Sequence, residues 1–252
     1  VIALDAASGD EIWEEYISYV RTSPTVADGT VYIGGTDGIS AVDATTGEEQ
    51  WTFTTDDDVR ATPTVVDNTV YAGSDDGNVY AIDTATGEQE WVFETGSTVA
   101  FEDGGSVRSS PTVADETVYV GSNDGNLYAL DAASGTQEWK YDAGKIIYSS
   151  PTVGKETLFF GCRDGRVYGL DIDSGSEQWS FETADVVDSS PTVVEGTVCF
   201  GSNDNKIYVL DASTGEQQWV FETDGSVSSS PTVVDGNVYI GSDGGSVYSL
   251  NT

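Results

Sequence analysis

Apolar and polar residues alternate in short runs along the whole chain, and no spacing of three and four residues persists long enough to make a helical face. In the stretch from Ser110, SPTVADETVYVGSNDGNLYALDAASGTQEWKYD, four runs rich in Val, Tyr and Trp are bounded by turn residues. This predicts strands over 111–114, 117–121, 127–131 and 137–141. The Asp-Gly steps at 76–77, 124–125 and 164–165 supply residues that tolerate φ > 0, which tight hairpins require. Each stretch therefore reads as a four-stranded antiparallel meander, with strands a, b, c and d in chain order.

The meander repeats. Trp stands at 13, 51, 91, 139, 179 and 219, and Pro at 24, 63, 111, 151, 191 and 231, in step with it. A meander of about 40 residues cannot bury both faces alone, so copies must stack, and radial stacking leaves only short, protected edges. The fold class is all-β, a propeller of four-stranded antiparallel blades in a single domain, 1–252. Strand c occurs seven times, which gives seven blade positions with incomplete terminal blades: a partial blade at 1–19, full blades at 22–53, 61–93, 109–141, 149–181 and 189–221, and a partial blade at 229–252. A closed ring of six, with the termini sharing a blade, and part of an eight-bladed parent are the alternatives. The one departure from the repeat is an insertion of about eight residues near 96–105.

Composition adds chemistry to this frame. Forty-four carboxylates against nine Lys and Arg, with no His, give a formal charge of −35. A field of that sign excludes nucleic acid or anionic lipid as a partner of the bulk surface. Six Trp, 13 Tyr and eight Phe exclude a disordered chain. No apolar run is long enough to span a membrane. The chain has no Met, which predicts a processed or excised piece with any signal peptide or anchor upstream. Acids spread over every segment repel one another in dilute buffer, and molar salt screens them to about 3 Å. The composition resembles haloarchaeal proteomes and implies adaptation to high salt. Cys162 and Cys199 form no CxxC or adjacent pair and read as buried thiols. Without His, no Ser/His or Cys/His pair can form, so the usual hydrolase chemistry is excluded.

After strand c each copy continues Ala-x-Asp-x-x-x-Gly-x-x-x-Trp or close to it: Ala3, Asp5, Gly9, Trp13; Ala41, Asp43, Gly47, Trp51; Ala81, Asp83, Gly87, Trp91; Ala129, Asp131, Gly135, Trp139; then Asp171, Gly175, Trp179 and Asp211, Gly215, Trp219. Asp with a Gly-containing turn reverses the chain, and the indole can fill the wedge between blades. The pattern resembles the tryptophan-docking motif of quinoprotein, or PQQ-like, propellers. The resemblance implies structural docking by Trp13, Trp51, Trp91, Trp139, Trp179 and Trp219. It extends to propellers that scaffold outer-membrane barrel assembly and to sensor domains attached to kinases, which implies an extracytoplasmic or cell-surface setting. In the catalytic branch of that family, adjacent cysteines and stacking groups hold the quinone, and Asn, Glu and Asp hold calcium. This chain has no adjacent cysteines and no long active-site insertion.

The informative position lies three residues before the strand-a Pro. It reads Arg21, Arg60, Arg108, Tyr148, Asp188 and Ser228, and three of the five Arg of the chain occupy it. Strand a lies nearest the axis, so these side chains should gather at the mouth of the central channel. They are either an anion site or cations neutralised by nearby acids such as Asp56, Asp57, Asp58, Glu102 or Asp103. The b–c turns share that face and carry Asp37, Asp76, Asp124, Asp164, Asp204 and Asp243, read as hairpin residues since none matches a calcium loop. Gly161-Cys162-Arg163-Asp164-Gly165-Arg166 adds two cations to the face. The expected function is a non-enzymatic scaffold or binding module for a protein partner or small anionic ligand, with no catalytic residue, no metal and no cofactor. The alternative is a quinone-dependent alcohol or sugar dehydrogenase, or a remnant of one, with PQQ and Ca²⁺.

Overall fold

The computed structural model describes residues 1–96 and 104–251. All of their regular structure is β, in seven antiparallel sheets that follow one another along the chain. Blade 1 is a hairpin, Ile2–Leu4 and Glu11–Glu14. Five blades have all four strands. Blade 2 is Thr25–Ala27, Thr30–Gly35, Gly38–Asp43 and Glu49–Phe53; blade 3 is Thr64–Val66, Thr69–Gly73, Asn78–Asp83 and Gln89–Glu94. Blade 4 is Thr112–Ala114, Thr117–Gly121, Asn126–Asp131 and Gln137–Asp142. Blade 5 is Thr152–Val153, Thr157–Cys162, Arg166–Asp171 and Glu177–Glu182; blade 6 is Thr192–Val194, Thr197–Ser202, Lys206–Asp211 and Gln217–Glu222. Blade 7 has three strands, Thr232–Val234, Asn237–Gly241 and Val247–Asn251.

This is the propeller with seven positions and partial first and last blades. The six-membered ring is not what forms. It required the termini to share a blade, whereas Ile2–Leu4 pairs with Glu11–Glu14 and Val247–Asn251 pairs with Asn237–Gly241, in separate sheets. Among the described residues no strand pairing or core cluster joins blade 1 to blade 7, and apolar side chains stand exposed on both, such as Leu4 and Val247. Of the insertion near 96–105, residues 97–103 lie outside the described residues, and Glu102 and Asp103 with them.

The core is a series of slabs between neighbouring blades. Tyr71, Ala81 and Trp91 of blade 3 pack on Val118, Val120, Tyr128 and Leu130 of blade 4, and the same arrangement recurs at each boundary. Inner strand lies beside inner strand across each boundary from blade 2 to blade 7. They are tied by hydroxyls: Thr25 Oγ1 donates to the Pro63 carbonyl, Thr64 to Pro111, Thr112 to Pro151, Thr152 to Pro191 and Thr192 to Pro231, at 2.6–2.7 Å. Proline can sit here because an inner edge strand needs no N–H at that position. With the inner strands fixed, the d–a connections and b–c turns of successive blades meet on one face.

Candidate functional site: a charge ladder on the channel face

The outer boundary of blades 1 to 6 is set by the Trp of each. The Trp13 N–H donates to the Ala44 carbonyl of the next blade at 3.0 Å, Trp51 to Thr84 at 2.8 Å, Trp91 to Ala132 at 2.8 Å, Trp139 to Ile172 at 3.2 Å and Trp179 to Ala212 at 3.1 Å. For Trp219 the corresponding carbonyl belongs to residue 252, outside the described residues. The turn glycine lies flat on the preceding indole. A Cβ on Gly135 would sit 2.6 Å from Trp91, and its φ of +69° disfavours any L side chain as well. The turn Asp is an acceptor: Asp131 Oδ1 takes the Ser134 N–H at 2.8 Å and its hydroxyl at 2.6 Å. Those bonds, the hydroxyl's first, hold the Asp131 carboxyl below its ordinary 3.8.

On the channel face the structure joins most of the d–a column into one chain of contacts. Arg21 lies 3.6 Å from Asp58, and Arg60 lies 2.9 Å from the same carboxylate. Arg60 Nε also donates to Asp75 at 2.7 Å, and Arg108 grips Asp75 with two bonds, from Nε at 2.8 Å and from Nη2 at 3.1 Å. Arg108 Nη1 reaches the Tyr148 hydroxyl at 3.3 Å. The Arg163 guanidinium stacks 4.3 Å from the Tyr148 ring centroid and makes a fork to Asp188 at 2.8 and 2.9 Å. The ladder thus runs through the loops of blades 2 to 6. Ser228 is exposed, and no contact of the described residues carries the ladder to it.

The carboxylates lie beneath and the guanidinium groups above: Asp75 is 7% exposed, against 39% for Arg60 and 26% for Arg108. Bidentate Arg–carboxylate geometry in partial burial fixes these side chains better than isolated surface pairs. Of the acids expected near the column, Asp58 pairs with Arg21 and Arg60. Asp75 and Arg163 are the members that the d–a column alone does not reveal. Both occupy the second residue of a b–c turn, a position that reads Asp75, Asn123, Arg163 and Asn203 in blades 3 to 6. Compared side by side, the two columns carry complementary charges in adjacent blades, and that was the available signal.

The next residue of the same turns has a different task. Asp76, Asp124, Asp164 and Asp204 accept the hydroxyls of Tyr80, Tyr128, Tyr168 and Tyr208, four residues on, at 2.5–2.8 Å. Burial foremost, and the carboxylate partner next, push these phenols above their ordinary value. Asp76 and Asp124 Oδ1 also accept the N–H of Asn78 and Asn126, closing the hairpin turn.

Among the described residues, no adjacent cysteines and no cluster of three or more acids stand ready to hold a quinone and calcium. Cys162 and Cys199 are buried in different blades; burial pushes the Cys199 thiol up to about 12 and raises that of Cys162. Cys162 faces the Lys145 and Ile146 carbonyls. The indoles lie between blades. Among the described residues no group of three or more His, Cys, Asp or Glu side chains is placed to hold a metal ion. Among the described residues no helix is long and apolar enough to cross a membrane.

Seven stacked antiparallel sheets, with inner hydroxyls linking blades 2 to 7 and outer indoles linking blades 1 to 6, define a β-propeller of the PQQ-like repeat class. The family model described as outer membrane protein assembly factor BamB matches residues 1–145, 95–187 and 163–252, and the chain belongs to that family. No curated protein matches it. Among solved structures it is similar to BamB from Moraxella catarrhalis, at 22% identity and a TM-score of 0.80, over 96% of this chain and 74% of that one. A computationally designed protein, Ika8, aligns at 20% identity and a TM-score of 0.82, over 97% and 75%. The quinohemoprotein alcohol dehydrogenase ADHIIG from Pseudomonas putida HK5 aligns at 18% identity and a TM-score of 0.67, over 82% of this chain and 42% of that one. These likenesses concern the fold.

Proposed function

We propose that the protein is a non-enzymatic propeller that offers its channel face as a rigid docking surface for a protein partner or a small anionic ligand. One observation carries this reading: the polar side chains that converge at the channel mouth, from Arg21 to Asp188, are bound to one another. A reaction centre needs a nucleophile or base poised for substrate, with its pKa matched to the task. Here the acids serve as partners of guanidinium groups and the thiols lie in blade cores. A surface of fixed, alternating charge instead favours orientation and specificity in recognition. The family description, an assembly factor of the outer membrane, favours an extracytoplasmic setting and a protein partner. The charge of −35 favours a salt-rich one.

Reconstitution with PQQ and Ca²⁺, followed by dye-linked oxidation of primary alcohols and aldose sugars, tests the reading. The expected result is no dye reduction above the protein-free control. Sustained turnover that requires both additions would replace the scaffold with a quinone-dependent dehydrogenase.

A further inference from the structure

The ladder has one irregular step. Asp58 stands between Arg21 and Arg60, and Asp75 between Arg60 and Arg108. Between Arg108 and Arg163 the column supplies Tyr148, a neutral residue. Both guanidinium groups approach its ring, at 5.8 and 4.3 Å from the centroid. Arg163 already gives Nε and Nη2 to Asp188, which leaves Nη1 for another acceptor. The Tyr148 hydroxyl accepts from Arg108, so its own proton is available to an acceptor as well.

Asn123 holds the turn position in blade 4 equivalent to that of Asp75 and Arg163. In blade 3 the second residue of the b–c turn, Asp75, reaches the d–a side chain of its own blade, Arg60, and that of the next, Arg108. In blade 5 the equivalent Arg163 reaches Tyr148 and Asp188 in the same manner. By the same register, Asn123 of blade 4 corresponds to the step between Arg108 and Tyr148. Asn123 is 0% exposed, and neither its Nδ2 nor its Oδ1 has a hydrogen-bond partner. Buried amides are nearly always satisfied, so an orphan at this point in a polar network calls for a guest.

We infer that the step between Arg108 and Arg163 is a carboxylate-binding subsite. The ligand's oxygens accept from Arg163 Nη1 and the Tyr148 hydroxyl, and the ligand, directly or through one ordered water, supplies a partner to the Asn123 amide beneath it. Of Arg108 the subsite uses only its charge and its bond to Tyr148. The ladder itself shows that carboxylates suit this geometry, since Asp75 and Asp188 fill the flanking steps. The inference deepens the proposed function and rests on its reading of the channel face. The carboxylate can come from a free small acid or from an acidic segment of a partner protein.

Calorimetric titration at fixed ionic strength, with acetate and succinate replacing chloride and with an acetylated tetra-aspartate peptide in a separate arm, tests it. The expected result is saturable one-site binding. The peptide binding more tightly per carboxylate than acetate assigns the source to a partner's acidic segment, and equal binding assigns it to small acids. Asn123→Asp places a carboxylate where blade 3 has Asp75 and should weaken binding at least tenfold. Tyr148→Phe removes one donor and should weaken it about threefold, and it carries the test if the substitution at Asn123 impairs folding. Wild type with no saturable binding in any arm, or variants that bind as tightly as wild type, would overturn the subsite. That failure leaves the dye-linked assay untouched, so the two readings fall separately.

Discussion

Each repeated side chain has a defined partner in the repeat, and its replacement should report on that partnership. Trp91 fills the boundary between blades 3 and 4 and donates to Ala132 at 2.8 Å. Trp91→Ala removes the largest group of that slab, at a cost of about 3–5 kcal/mol in denaturant titration; a loss below about 1 kcal/mol would remove the docking role. Asp131 acts as a charged acceptor, its carboxyl held below 3.8 by Ser134. A depressed carboxylate contributes stability that is present above its unfolded value and is lost as pH falls through its folded one. The Tm difference between wild type and Asp131→Asn should therefore be full above pH 3.8 and close as the pH drops further. A difference constant from pH 7 to pH 2 would contradict it. These residues were legible in the sequence because they recur, as every Trp meets the same turn of the next copy. Asp75 and Arg163 were not, because they belong to no repeated signature. Their meaning appears only when the turn of one blade is set beside the loop of the next.

At the scale of the element, the inner strand is short, two or three residues, and is held across the boundary as much as within its own sheet. Thr112 Oγ1 to the Pro151 carbonyl, at 2.6 Å, is one link in a series that binds blades 2 to 7. Thr112→Val keeps shape and β propensity and removes that link. It should lower stability by about 1–2 kcal/mol, read as a lower denaturant midpoint with an unchanged slope. A neutral effect would mean that the slabs alone set blade spacing. Alternation and turn chemistry placed the strands of blade 4 within one residue of those observed, since a period of two with Asn-Asp-Gly between runs has few other solutions. The number of blades was less legible. Strand c of blade 1 and strand c of blade 7 both fit a shared sheet by sequence, and the choice between them lies in three-dimensional spacing that no local pattern encodes.

For the whole molecule, a charge of −35 on 252 residues acts through self-repulsion, while the core slabs supply an ordinary apolar interior of Val, Tyr, Phe and Trp. Stability should rise steeply from low salt to molar KCl as the Debye length shrinks to about 3 Å. A Tm independent of KCl would mean that the acids are spaced widely enough not to interact and would remove the case for a salt-rich setting. Against this field the ladder is a local exception that links loops of five successive blades. The most direct measurement is a double-mutant cycle on its central cross-blade pair, with Asp75→Asn, Arg108→Gln and the two combined, followed by denaturant unfolding. With two bonds at 2.8 and 3.1 Å and the Asp75 side chain 7% exposed, a favourable coupling of about 1–2 kcal/mol is predicted. A coupling within about 0.3 kcal/mol of zero would show that the guanidinium groups are not held by the fold, and would contradict a channel face preformed for binding.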